Sequence, residues 1–266
     1  MSIIDKCNVT VTGTGKPTLV FVHGYGCDQT MWRFVAPGFV DSHRVVLYDL
    51  VGMGRSDNTA YDFTRYATLD GHAEDLCAIL TELEITDAVL VGHSVGATIA
   101  CLAALQMPEK VSALALVAPS PCFVNDDTYV GGFGREDIDG LIEVMDENYL
   151  GWTAHVTPII SGQPQDGAAT TDLTQSFCRT DPAIAKHFGR VTFTADQRAE
   201  MGRVAHPALV LQVTDDTLAP KAVGHWLADH MARAELRTIE ATGHCPHMTE
   251  PDATTTELRG FLERIG

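Results

Sequence analysis

Basic residues are scarce in this chain of 266 residues: 18 lysines and arginines stand against 35 aspartates and glutamates, a formal charge of −17 at pH 7. Such a balance repels phosphate backbones and anionic headgroups, which sets nucleic acid and membrane surfaces aside as partners. Long apolar runs are also missing. No stretch approaches the ~20 residues of a membrane span, and residues 1–10 carry neither a basic start nor an apolar secretion segment. A cytoplasmic protein is expected. There is no C-x-x-C pair; Cys7, Cys27, Cys77, Cys101, Cys122, Cys178 and Cys245 are odd in number and scattered, which argues for reduced, mostly buried thiols. Internal repeats and low-complexity tracts are absent. With 45% hydrophobic and 20% charged residues the composition suits a single packed core.

What is present is an alternation of short β-branched runs with helical patterns, the sign of a mostly parallel, doubly wound α/β sheet covered on both faces. The runs are 18–22 (TLVFV), 44–49 (RVVLYD), 88–92 (AVLVG), 112–118 (SALALVA), 208–213 (ALVLQV) and 235–240 (ELRTIE), and residues 6–12 are expected to add an antiparallel edge strand. The following turn, TGTGKPT, is no phosphate loop: Thr10 stands where its first glycine should be, and no helix starts cleanly at Lys16-Pro17. Between Ala118 and Ala208 no convincing strand pair occurs. Ile138, Leu141, Ile142, Met145 and Tyr149 follow i, i+3, i+4, i+7, i+11 spacing, which predicts an amphipathic helix over 136–149 with an acidic outer face. Residues 151–161, 170–179 and 181–194 read as further helical pieces. The expected organisation is a core of residues 1–120 and 200–266 with a helical cap, 121–199, inserted into it.

Gly92-His93-Ser94-Val95-Gly96 follows an apolar run and precedes a small-residue helix, the strand-turn-helix context in which G-x-S-x-G has chemical meaning. Side chains two residues either way from Ser94 would collide with the neighbouring strand and helix, hence the glycines. A serine hydroxyl is a weak nucleophile until an imidazole takes its proton, and that imidazole needs an acid on its far nitrogen. Asp216 and His244 supply the acid and the base in the expected order, each on a loop after a late strand. Asp215 and His247 are the competing choices. Asp216 stands four residues before Pro220 in a D-x-x-x-P pattern and Asp215 does not; His244 follows a glycine just after the strand, whereas His247 lies beyond Pro246 where a helix begins. The His-Cys-Pro-His run lacks a second ligand pair at zinc spacing, and His225 and His230 stand at i, i+5 and so share no helix face. No metal is expected. Two backbone N–H groups should receive a developing oxyanion: Val95, directly after the serine, and Tyr25 in the His23-Gly24-Tyr25-Gly26 loop.

The stretches HGYGCDQTMW (23–32), HRVVLYDLVGMGRSD (43–57), GHSVGATIA (92–100), PSPCFVND (119–126), GGFGREDI (131–138), TDPAIAKHF (180–188) and ATGHCPHMTEPD (241–252) resemble the RsbQ-like α/β-hydrolases, bacterial stress-response regulators related to the plant karrikin and strigolactone receptors. The likeness runs nearly end to end. It implies an α/β-hydrolase fold with a cap of four helices set as a V, no metal or organic cofactor, and the roles of Ser94, Asp216, His244, Tyr25 and Val95 given above. It nominates Phe133, Leu141, Trp152, Phe193, Leu218 and Ala219 as the lining of a largely apolar pocket for a small ester or lactone. Many relatives carry Phe where Tyr25 stands, so its hydroxyl is expected to alter pocket polarity. Two functions follow from the resemblance: a serine esterase or lactonase, and a ligand sensor with slow hydrolysis that acts through a protein partner such as a PAS-domain phosphatase. A cofactor-free haloperoxidase or C–C bond hydrolase would use the same triad. A haloalkane dehalogenase would need an aspartate at Ser94.

Overall fold

The computed structural model describes residues 1–266. Its strands are β1 (Thr10–Thr12), β2 (Thr18–Val22), β3 (Arg44–Leu47), β4 (Ala88–His93), β5 (Val111–Val117), β6 (Ala208–Asp215) and β7 (Ala234–Thr242). Its α-helices are α1 (Ile3–Lys6), α2 (Asp70–Glu82), α3 (Val95–Gln106), α4 (Arg135–Glu147), α5 (Tyr149–Ser161), α6 (Ala168–Arg179), α7 (Pro182–Thr194), α8 (Arg198–Met201), α9 (Lys221–His230), α10 (Pro246–Thr249) and α11 (Pro251–Ile265). The seven strands lie in the order β1-β3-β2-β4-β5-β6-β7, antiparallel at β1 and parallel elsewhere.

The central strands β2 and β4 are buried at every residue, which is why their sequences run continuously apolar rather than alternating. Leu19 and Phe21 of β2, Val89 and Val91 of β4 and Ala115 of β5 meet Phe39, Leu258 and Phe261 on one face. By the two-residue period of a strand the alternate side chains point to the opposite face, where α2 and α3 pack together. This sandwiching makes the carboxyl ends of β2, β4, β6 and β7 the one rim where loops from several strands converge.

Two expectations need correction. The edge strand spans only Thr10–Thr12; residues 3–6 turn into α1, capped by the Ser2 hydroxyl accepting from Asp5 N and pinned by the Lys6–Asp75 ion pair at 3.0 Å. The helix expected over 136–149 stops at Glu147. Asn148 leaves helical geometry and its side chain accepts from Gly151 N, so it caps a new helix that takes Tyr149 with it. Periodicity carried across this break because Met145 and Tyr149 are both buried. The remaining helical pieces fall close to where their patterns put them, and α4, α5, α6 and α7 together form one insertion between β5 and β6.

Candidate active site

Ser94 sits between β4 and α3 with φ 54° and ψ −124°, a backbone state costly for a residue with a Cβ. It persists because the surroundings hold it: Ser94 N donates to Val117 O at 3.0 Å, and Ala97 N donates to Ser94 O at 2.9 Å. A Cβ on Gly92 would lie 2.5 Å from Ala97 Cα, and one on Gly96 would lie 2.5 Å from Val22 O and His23 O. The glycines therefore let the turn be this tight. As the first residue of α3, Val95 offers one of the N–H groups that a helix N-terminus leaves without an intrahelical acceptor.

His244 is brought to Ser94 by the loop after β7. Its backbone N–H donates to Ile160 O at 2.6 Å and its carbonyl accepts from His93 Nε2 at 2.8 Å, so α5 and the serine turn both grip this loop. His244 Nε2 lies 2.8 Å from Ser94 Oγ, and Nδ1 lies 2.8 Å from Asp216 Oδ2 and 3.0 Å from Oδ1. Asp216 Oδ1 also accepts from Leu218 N and Ala219 N at 2.9 and 3.0 Å, which fixes the carboxylate in place. All three side chains are buried. Asp215 instead is exposed and accepts from Thr242 Oγ1 at 3.3 Å, while His247 lies 4.6 Å, ring to ring, from Trp32.

The loop after β2 is held through His23, whose Nε2 accepts from Leu50 N at 2.9 Å. This places Tyr25 over the serine. Its ring touches Trp152, Phe177, Phe188 and Phe193 at centroid distances of 5.3 to 6.3 Å. The hydroxyl points away from the chemistry, donating to Ala185 O at 2.9 Å beside Met145 Sδ. The expected change in pocket polarity is thereby corrected: the polar end of Tyr25 is spent on α7, and only the ring faces inward.

A narrow cavity of about 20 Å³ reaches Ser94 and His244, room for roughly one water. Phe193 and Leu218 line it as expected. Phe133, Leu141, Trp152 and Ala219 do not reach its wall: Trp152 stacks on Tyr149, Ala219 is fully buried behind Asp216, and Phe133 and Leu141 are half-buried against the core. The lining residues that the sequence did not point to are Cys27, His93, Phe123, Ile160, Leu173, Thr192 and Cys245. Of these, His93, Thr192 and Cys245 carried a signal, since each adjoins a named site residue: Ser94, Phe193 and His244 respectively. Thr192 Oγ1 is buried without a hydrogen-bond partner, a polar handle on an otherwise apolar wall. Cys27 and Leu173 also border a polar cleft of about 250 Å³, across which Asp28 pairs with Arg179 at 2.8 Å and Arg33 pairs with Asp172.

Behind His244 the fold gathers what the sequence held apart. A ring nitrogen of His93, one of His247 and the thiol of Cys245 lie within 4.8 Å of one another, all buried. Burial, aided by the neighbouring histidines, pushes His93 well below its usual range and His247 down to about 3; it also raises the Cys245 thiol.

A profile described as "Alpha/beta hydrolase family" matches residues 19–257. Karrikin insensitive 2 receptor IA of Petunia hybrida is 36% identical over 251 residues, covering 94% of this chain and 92% of its own. A strigolactone esterase of Arabidopsis thaliana is 35% identical over 264 residues, covering 99% and 98%. The structure of a hydrolase from Oleispira antarctica superposes with a TM-score of 0.95 at 38% identity, covering 98% of this chain and 96% of that one.

Proposed function

This chain belongs to the alpha/beta hydrolase family, and from that premise we propose that it hydrolyses small, largely apolar carboxylic esters or lactones with Ser94 as nucleophile. The observation that carries the reading is the continuous buried chain of contacts from Ser94 Oγ through His244 to Asp216, each link 2.8 Å long. His244 Nε2 takes the serine proton as Oγ attacks the carbonyl, and Asp216 stabilises the imidazolium that forms. The N–H groups of Tyr25 and Val95 receive the oxyanion. His244 then returns its proton to the leaving oxygen, and water, activated by the same imidazole, releases the acid from the acyl-enzyme. The inserted helices α4 to α7 act as the cap over this chemistry, and Thr192 is the hydroxyl that orients a polar atom of the substrate. The test is turnover of p-nitrophenyl acetate and butyrate by wild type and Ser94→Ala. The variant should lose at least 10³-fold in kcat; equal rates would refute the assignment.

A second reading, favoured by the receptor-named relative, is a ligand sensor in which hydrolysis is slow and a protein partner, such as a PAS-domain phosphatase, reads the cap. The narrowness of the cavity suits it, because a ligand must displace cap side chains to fit. Ligand-dependent capture of that phosphatase, lost in Ser94→Ala, would support it. A saturating butenolide that shifts neither the melting temperature nor that contact would count against it.

A further inference from the structure

His93 and His247 are both at most 2% exposed, and their rings lie 4.3 Å apart. Three of their four nitrogens meet no partner: His93 Nδ1 and both nitrogens of His247. An unpaired imidazole in an apolar interior forfeits its hydration without compensation, so this arrangement needs a reason. His93 Nε2–H is spent on the His244 carbonyl, which leaves Nδ1 as the lone-pair nitrogen of a neutral ring. Gly24 lets its loop pack close to that nitrogen, since a Cβ there would come within 2.7 Å of His93 Nδ1.

We propose that His93, Cys245 and His247 form a binding site for one borderline-soft transition-metal cation of the zinc class, whose occupancy switches off the serine chemistry. Two imidazoles and a thiolate are the donor set such ions prefer over hard cations. A tetrahedral ion with bonds of ~2.0 Å to nitrogen and ~2.3 Å to sulfur spaces its ligand atoms roughly 3.3–3.6 Å apart. The observed separations, up to 4.8 Å, therefore require a contraction of up to about 1.2–1.5 Å. Access is through the cavity, because His93 and Cys245 both line it. On coordination the Cys245 thiol releases its proton to solvent, and a water facing the cavity completes the fourth position.

The consequence for Ser94 follows from connectivity and charge. Cys245 is joined to His244 by a peptide bond, and His93 holds the His244 carbonyl, so contraction of the cluster displaces the very ring that must reach Ser94. A divalent ion bound to one thiolate leaves a net positive charge next to His244, which opposes formation of its imidazolium. This inhibitory half rests on the proposed Ser94 mechanism; the binding half does not.

The experiment uses the full chain freed of metal with a chelator. Equilibrium dialysis against Zn²⁺ should retain one ion per chain, Mg²⁺ none, and Co²⁺ should give a near-ultraviolet thiolate-to-cobalt absorption. Zn²⁺ should lower p-nitrophenyl acetate turnover at least tenfold, reversed by chelator. Cys245→Ser should abolish the sulfur absorption, and His247→Gln should weaken Zn²⁺ binding at least tenfold, with circular dichroism confirming that both variants fold. Retention that survives both substitutions, no retention by wild type, or Co²⁺ bound without the sulfur band would overturn the site. If metal-free wild type has no esterase activity, the hydrolase reading fails while stoichiometry and absorption still decide the binding.

Discussion

Replacing Tyr25 by phenylalanine removes one buried oxygen and little else, and the structure says where its loss should be felt. The hydroxyl donates to Ala185 O at 2.9 Å and fills the space left by the missing side chain of Gly189, where a Cβ would sit 2.6 Å from it. Ala185 O lies inside α7 and keeps a helical partner, so the cost is that of a net hydrogen bond, about 1 kcal/mol, rather than of an orphaned acceptor. The ring remains caged by Trp152, Phe177, Phe188 and Phe193. Denaturant unfolding should therefore shift by about 1 kcal/mol. If this bond also steadies the Tyr25 N–H as an oxyanion donor, kcat for p-nitrophenyl acetate should fall roughly fivefold with KM unchanged, well short of the 10²–10³-fold loss of a whole donor. Gly189→Ala, which crowds the hydroxyl from the other side, should reproduce the kcat loss. A drop of two orders of magnitude in Tyr25→Phe would mean that the hydroxyl touches the reacting atoms, and unchanged stability and kcat would mean that the contact to α7 does nothing.

Asp216→Asn should keep the Leu218 and Ala219 N–H contacts through its carbonyl oxygen but turn an amide N–H toward His244 Nδ1. That forces the proton onto Nε2, where it faces Ser94, so kcat should fall roughly 10⁴-fold with KM retained; a loss under tenfold would refute the pairing. His72 is fully buried with neither nitrogen paired, and burial lowers it to about 3. The unfolded chain takes up this proton from about pH 6.5 downward and the folded chain does not, so its stability contribution is complete above pH 6.5 and shrinks as pH falls toward 3. At pH 5 the loss is about 2 kcal/mol. His72→Phe, which can still stack on Tyr66, should flatten the fall in unfolding free energy between pH 7 and 5 by that amount, and an identical slope would count against it. Leu173 separates the narrow cavity from the polar cleft. Leu173→Ala should cost about 2–5 kcal/mol of stability and raise kcat/KM for octanoate relative to acetate about tenfold; an unaltered chain-length profile would show that the wall is elsewhere.

The alternation of apolar runs with helical patterns determined by itself the sheet, the insertion after β5 and the loops that carry Ser94, Asp216 and His244, because these depend on local periodicity and on turn chemistry. The four helices of the insertion were legible for the same reason, down to the Asp181-Pro182 start of α7. Side-chain direction at long range was not. Phe133, Leu141, Trp152 and Ala219 were nominated as pocket wall by the resemblance, and their apolar character alone could not separate wall from core; what decides is which neighbour reaches them first, and Tyr149, Phe123 and the Asp216 turn meet Trp152, Phe133 and Ala219. The Tyr25 hydroxyl could be assigned to α7 only once Ala185 and Gly189 stood opposite it. The same holds for the cluster behind His244: His-Cys-Pro-His was plain in the chain but lacked ligands at zinc spacing. Its third member, His93, arrives at the end of β4, because a parallel sheet brings strand ends to one rim whatever their separation in sequence.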